Sequence, residues 1–248
     1  MDALGKNAAA IAISFNYLQS ARYSMIKAVL FDLDGTLLDR DRSLAQFVDV
    51  QYDRLIAHLR HVPKTDYIAR FVELDSRGHV WKDKVYQSLV EEFELPDITW
   101  QDLLEDYVTR FQLHCIPFNG LIPMLSNLQQ EGYRLGVITN GRTEFQRRSI
   151  EGLKIQDYLD IALVSEEEQI RKPDPEIFIR AVSRLSVEAD KSVFIGDNPD
   201  ADVVGAKNAG MKAIWKSNSY SREPDQADAV VEQLAEIPSI VKAMKIDS

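Results

Sequence analysis

Aspartates recur at short spacing in two places, Asp32-Leu33-Asp34-Gly35-Thr36 and Gly196-Asp197-Asn198-Pro199-Asp200-Ala201-Asp202. Carboxylates brought that close raise one another's pKa unless a cation neutralises them. Magnesium suits such a set, because it takes one or two carboxylates, waters and a substrate phosphate without needing His or Cys. Lys172, within Arg171-Lys172-Pro173-Asp174-Pro175, adds fixed positive charge. Thr139-Asn140-Gly141 adds a hydroxyl and amides just ahead of a helix start, where phosphate oxygens bind. A site of this composition stabilises phosphoryl transfer rather than redox or acyl chemistry.

The Asp32-x-Asp34 pair can do more than hold a metal. One carboxylate can attack phosphorus and form an aspartyl-phosphate. A second, two residues on, can protonate the departing alcohol and then deprotonate the hydrolytic water. Gly35 permits the sharp turn that aims both at one point. Neither acidic segment makes a calcium loop. An EF-hand needs a ligand at its fifth position and glycine at its sixth, where Thr36 and Leu37 stand; Val203 fails the glycine position in the second segment.

The elements that must position these residues are four apolar runs, each ending abruptly in polar residues. They are Lys27–Phe31, Arg134–Ile138, Ile161–Val164 and Ser192–Ile195, with Met211–Trp215 as a fifth and Ala227–Val231 as a sixth. Continuous apolar runs without alternation mark strands covered by helices on both faces. Between them lie amphipathic helices. Thr143 to Gln146 reads as a capping box, with Phe145, Ile150 and Leu153 on the buried side. Asp174-Pro175 supplies an N-cap and a first-turn proline, and Gly210 stops a helix over Asp202 to Ala209. The fold class is therefore α/β, a doubly wound parallel sheet whose ligands bind beyond the carboxyl ends of the strands.

Residues 41–117 break the alternation with apolar residues at helical spacing throughout, including Phe47, Phe71, Leu89, Tyr107 and Phe111. They read as an all-helical block inserted after the first strand, a lid hinged at Asp39-Arg40-Asp41-Arg42 and Pro117-Phe118-Asn119-Gly120. The α/β core then comprises 25–40 and 118–248, with 1–24 as an extension. Ala8–Phe15, preceded by Lys6, has the outline of a signal-peptide core, but Asn16 cuts it short and a cleavage after Ala21 puts Gln19 where a small residue is wanted.

Composition narrows the class. The 248 residues carry 29 Lys plus Arg against 39 Asp plus Glu, a net charge of -10 that repels nucleic-acid backbones. One cysteine, Cys115, excludes an internal disulfide and fits a reducing cytoplasm, and no run is long enough to span a membrane. The expected partner is a small phosphorylated metabolite, handled by a monomer or homodimer.

The four polar segments, in order and at strand ends, resemble the four motifs of the haloacid dehalogenase superfamily of phosphotransferases, and the insert falls where that superfamily carries its C1-type cap. The resemblance implies Asp32 as nucleophile and Asp34 as acid/base, whose backbone carbonyl also meets magnesium. It implies Thr139 and Lys172 on the phosphoryl group and Asp197 completing the metal site, with Asp202 behind it holding metal-bound water or Lys172. Gly35, Thr36, Asn140, Gly141 and Arg142 are expected to line the phosphate site. Aspartate at position 34 separates the chain from dehalogenases, which resemble it with tyrosine there, and from P-type ATPases, which carry threonine. Thr139-Asn140-Gly141 and the Arg142–Gln146 segment resemble the branch containing 5'-nucleotidases and N-acylneuraminate-9-phosphatases, which shares its cap class with phosphoglycolate phosphatases and β-phosphoglucomutases.

The expected activity is a magnesium-dependent phosphomonoester phosphatase. A phosphomutase of the same superfamily and a phosphate-binding module with vestigial chemistry are the alternatives. The Asp75–Lys84 segment reads either as a surface loop or as the part of the insert that meets substrate through Arg77, Lys82 or Lys84. His58 and His61 lack acidic partners nearby and read as a solvated helix face.

Overall fold

The computed structural model describes residues 26–244, so the expected extension over 1–24 lies outside the described residues. Six parallel strands form one sheet in the order β3-β2-β1-β4-β5-β6. They are β1 (Ala28–Phe31), β2 (Arg134–Thr139), β3 (Ile161–Val164), β4 (Ser192–Gly196), β5 (Lys212–Lys216) and β6 (Ala229–Val231). Every β1 residue is buried, as the unbroken apolar run requires. Register pairs Phe31 with Val137 on one side and Ile195 on the other. Asp32 thus leaves the sheet beside Gly196, and its amide donates to the Ile195 carbonyl at 2.8 Å.

Between β1 and β2 the chain is helical: α1 (Arg40–Arg54), α2 (Ile56–Leu59), α3 (Lys64–Asp75), α4 (Lys82–Glu92) and α5 (Trp100–Arg110), then α6 (Leu121–Gln130). The two crossings lie side by side. Leu38 bridges Pro117 in antiparallel fashion, Asp39 N donates to Ile116 O, and Phe118 N donates to Leu37 O. The insert also packs on α7 (Thr143–Leu153). Phe145 stacks on Tyr107 at 5.0 Å between centroids and lies 5.0 Å from Phe111.

Alternate residues of each strand face opposite layers. Val29, Phe31, Val137 and Ile195 join one cluster with α6, α7 and α11 (Ile237–Ala243). Ala28, Leu30, Ile138 and Phe194 join a second with α9 (Pro175–Arg184) and α10 (Gly205–Asn208). The remaining short helix, α8, spans Ser165–Glu168. Asp174 caps α9 by accepting from Glu176 N, as its sequence suggests. The expected helix from Asp202 is instead a π-helical turn, Pro199–Val204, running into α10, and Gly210 follows at φ +82°.

The expected Thr143 capping box does not form. Arg142 is the N-cap residue and makes no side-chain cap bond, and Thr143 N donates instead to Glu166 Oε2 at 2.7 Å. Phe145, Ile150 and Leu153 are buried as expected, but Gln146 is drawn towards the strand ends.

Candidate active site

The strand ends bring the expected residues together. Lys172, 3% exposed, lies between two carboxylates, its Nζ 2.6 Å from Asp32 Oδ1 and 2.7 Å from Asp202 Oδ1. Asp32 Oδ2 accepts from Thr36 Oγ1 at 3.3 Å. Carboxylate oxygens of Asp32, Asp197 and Asp202 fall within 4.8 Å of one another. Burial works against the Lys172 charge, but Asp202 and Asp32 outweigh it and its pKa is raised. Burial and the neighbouring carboxylates hold both Asp197 and Asp202 above the ordinary carboxylate range. Three oxygen donors on so small a footprint, short of positive charge, fit a hard divalent cation.

Backbone geometry makes room for this cluster. Gly35 sits at φ +87°, and a Cβ there would lie 2.4 Å from Asp197 Oδ2. At Gly196 a Cβ would lie 2.3 Å from Asp202 Oδ2. Asp197 is held from behind: its carbonyl accepts from Trp215 Nε1 at 2.8 Å and Asn218 Nδ2 at 3.0 Å, and its Oδ2 accepts from Tyr220 OH at 2.9 Å. Asp202 Oδ2 accepts from Asn198 N at 2.9 Å.

Asp34 lies apart from the three. Its Oδ2 accepts from Gln146 Nε2 at 2.7 Å, and the same Nε2 donates to Asn140 O at 3.1 Å. Two acceptors fix which end of that amide is nitrogen. Burial raises the Asp34 pKa, partly offset by Arg40. Gly141 lets Gln146 approach, since a Cβ would meet Nε2 at 2.5 Å, and its amide donates to Ser165 Oγ at 3.0 Å. Asn140 ties the second and third segments, exchanging bonds with the Lys172 backbone at 2.9 Å in both directions. Thr139 is 1% exposed and its Oγ1 has no partner, an unsatisfied buried hydroxyl beside the cluster that suits an anionic oxygen. Arg142 lays its guanidinium 4.3 Å from the Trp81 ring centroid rather than in the carboxylate cluster.

The Asp75–Lys84 segment divides. Lys82 is buried on Asp75, Arg77 lies over the Tyr220 ring at 4.0 Å, and Lys84 stays outside on Gln87 Oε1 at 3.1 Å. His58 and His61 ring nitrogens meet the carbonyls of Pro96 and Phe93 at 3.1 and 2.9 Å, so they fasten the insert rather than face each other over a metal. Cys115 is half-buried and its thiol pKa is pushed up to about 12 by burial. Gln146, Arg40 and Tyr220 are site neighbours that sequence reasoning missed. Gln146 had a signal, as a long polar residue on the buried stripe that α7 builds from Phe145, Ile150 and Leu153.

Residues 29–216 match the model of the haloacid dehalogenase-like hydrolase family. The chain belongs to that family. It is 31% identical to the glyceraldehyde 3-phosphate phosphatase of Pyrococcus abyssi, over 77% of this chain and 81% of that one. It is 26% identical to the mouse N-acylneuraminate-9-phosphatase, over 89% and 96%. Among solved structures, a phosphatase of the family from Thermococcus onnurineus superposes with a TM-score of 0.64 at 30% identity, covering 89% of this chain and 100% of that one. These relatives are phosphatases by name, in keeping with a phosphoric monoester hydrolase. No helix among the described residues is long and apolar enough to cross a membrane.

Proposed function

We propose that the chain is a magnesium-dependent phosphatase that hydrolyses a small phosphomonoester through a phosphorylated Asp32. The observation that carries this reading is the Asp32–Asp197–Asp202 cluster around Lys172, at the carboxyl ends of the strands. Asp32, Asp197 and the Asp34 backbone would hold magnesium, which when bound screens the charge of two anions brought together. Lys172 and the unpartnered Thr139 hydroxyl would bind the phosphoryl oxygens. An Asp32 carboxylate oxygen attacks phosphorus as the ester P–O bond breaks, and Asp34 gives its proton to the departing oxygen. Asp34, now a carboxylate, takes a proton from water as the water oxygen attacks the same phosphorus. Inorganic phosphate leaves and the Asp32 carboxylate is restored.

Burial favours this division of labour, because it stabilises the proton-bearing form of Asp34. Residues 41–117 act as the lid over the site, hinged where Leu38 and Pro117 pair, and the protein works in the cytoplasm. Phosphate release from nucleoside, sugar and carboxylate phosphomonoesters, with and without magnesium and beside Asp32→Asn, tests the reading. Metal-dependent release lost in the variant supports it; release that survives the substitution contradicts it.

A further inference from the structure

The insert places a buried ion cluster next to Asp34. Arg40 Nη2 donates to both Asp75 oxygens at 2.9 Å, Gly78 N donates to Asp75 Oδ2 at 2.9 Å, and Lys82 Nζ donates to Asp75 Oδ1. Side-chain exposure is 17% for Arg40 and 2% for both Asp75 and Lys82. One carboxylate thus holds two cations away from water. Asp41 lies 3.7 Å from Arg40 Nη1 but is 70% exposed, which makes it a weak counter-ion. Gly78, at φ +84°, lies against the guanidinium, where a Cβ would be 2.9 Å from Nη2. Arg40 is clamped on one edge, and its other terminal nitrogen, Nη1, is buried with no hydrogen-bond partner.

Trp81 Nε1 is buried without a partner as well. The Trp81 ring lies edge-on to Phe145 at 5.9 Å, and Phe145 adjoins the Gln146 that holds Asp34. Arg40 and Lys82 are close enough to Asp34 for their charges to act on one another, yet no hydrogen bond joins them. Two unmatched donors and a surplus of positive charge therefore lie near the group that, in the phosphatase reading, protonates the leaving oxygen.

We propose that Arg40 and Trp81 form the leaving-group subsite, and that it takes a substrate whose alcohol carries a carboxylate near the phosphoester. A buried donor left unpaired is destabilising, and an anionic acceptor satisfies both while balancing the second cation. A neutral alcohol satisfies the donors more weakly and leaves the charge unmatched. This inference rests on the phosphatase reading and names the substrate class of the same site.

The test compares kcat/KM of the full chain, at saturating magnesium, on 3-phosphoglycerate, D-glyceraldehyde 3-phosphate and glycerol 3-phosphate. These share a phosphorylated three-carbon frame and differ in a carboxylate, aldehyde or alcohol at the far carbon. The carboxylate substrate is expected to lead by about ten- to hundredfold. Arg40→Gln and Trp81→Phe should each shrink that lead, mainly through KM, and Trp81→Phe does so without removing the aromatic packing on Phe145. Equal rates on the three, a preference for a neutral one, or parallel losses in the variants overturn the proposal. If the subsite is overturned in this way, magnesium-dependent hydrolysis of a fourth probe, p-nitrophenyl phosphate, that is lost in Asp32→Asn shows that the phosphatase reading stands and only the subsite proposal has failed. Hydrolysis of none of the four overturns both.

Discussion

Gln146 Nε2 reaches Asp34 Oδ2 at 2.7 Å across 112 residues of chain, and a second bond to Asn140 O at 3.1 Å locks the amide in place. That contact positions the proposed acid. Gln146→Met keeps the volume and loses the donor, so kcat should fall by about ten- to hundredfold with KM little changed. A rise in KM with kcat intact would show that the amide binds substrate instead.

Lys172 is the fixed counter-charge of two buried carboxylates. Removing one partner of a buried ion cluster leaves uncompensated charge, which costs about 3–5 kcal/mol. Lys172→Met should lose stability on that scale in urea denaturation with EDTA present, and regain part of it with magnesium. Equal stability with and without metal would contradict the shared site.

Magnesium should stabilise the folded chain by mass action. At about a hundredfold over Kd the gain is about 2.7 kcal/mol, or a Tm rise of about 5–10 °C. Because Asp197 and Asp202 hold protons more tightly than ordinary carboxylates in the metal-free protein, protons compete with the ion. The magnesium-induced shift should shrink as pH falls and vanish in Asp197→Asn. A shift independent of pH, or intact in the variant, would place the ion elsewhere.

Lys82 gives a separate pH signature. Burial lowers its pKa to about 8 against the pull of Asp75, from 10.5 in the unfolded chain. Between those values the unfolded chain binds more protons, so stability contributed by this group rises with pH, by up to about 3 kcal/mol. Comparing Lys82→Met with the parent at pH values of about 7.5 and 9.5 isolates the contribution, and identical pH slopes would refute it.

How much of the molecule could be read from its sequence depends on how local each signal is. Buried parallel strands print as apolar runs, and the segment after each prints its polar residues in order, so the gathering of Asp32, Thr139, Lys172 and Asp197 beyond the strand ends is legible without a structure. Strand β6 begins two residues into its run, after Asp228, whose amide donates to Ala213 O and whose carboxylate binds Lys207 and accepts from Ala213 N. Gln146 reads as half of a capping box because a helix-start glutamine has a local partner in sequence, but Asp34 is the better partner in space. Arg40 reads as part of a polar hinge joint, since Asp75 stands 35 residues away in the chain. Tyr220 gave no signal at all, as its partner Asp197 belongs to a different strand end.

Phosphorylation of Asp32 is the step on which the mechanism depends, and an acid quench during turnover captures it. Borohydride reduction of the quenched protein converts an aspartyl-phosphate to homoserine, which mass spectrometry locates in the chain. Homoserine at position 32 in the magnesium-loaded parent, dependent on substrate and missing from Asp32→Asn, is the result expected. Steady hydrolysis with position 32 unmodified under the same quench would contradict a covalent mechanism at Asp32.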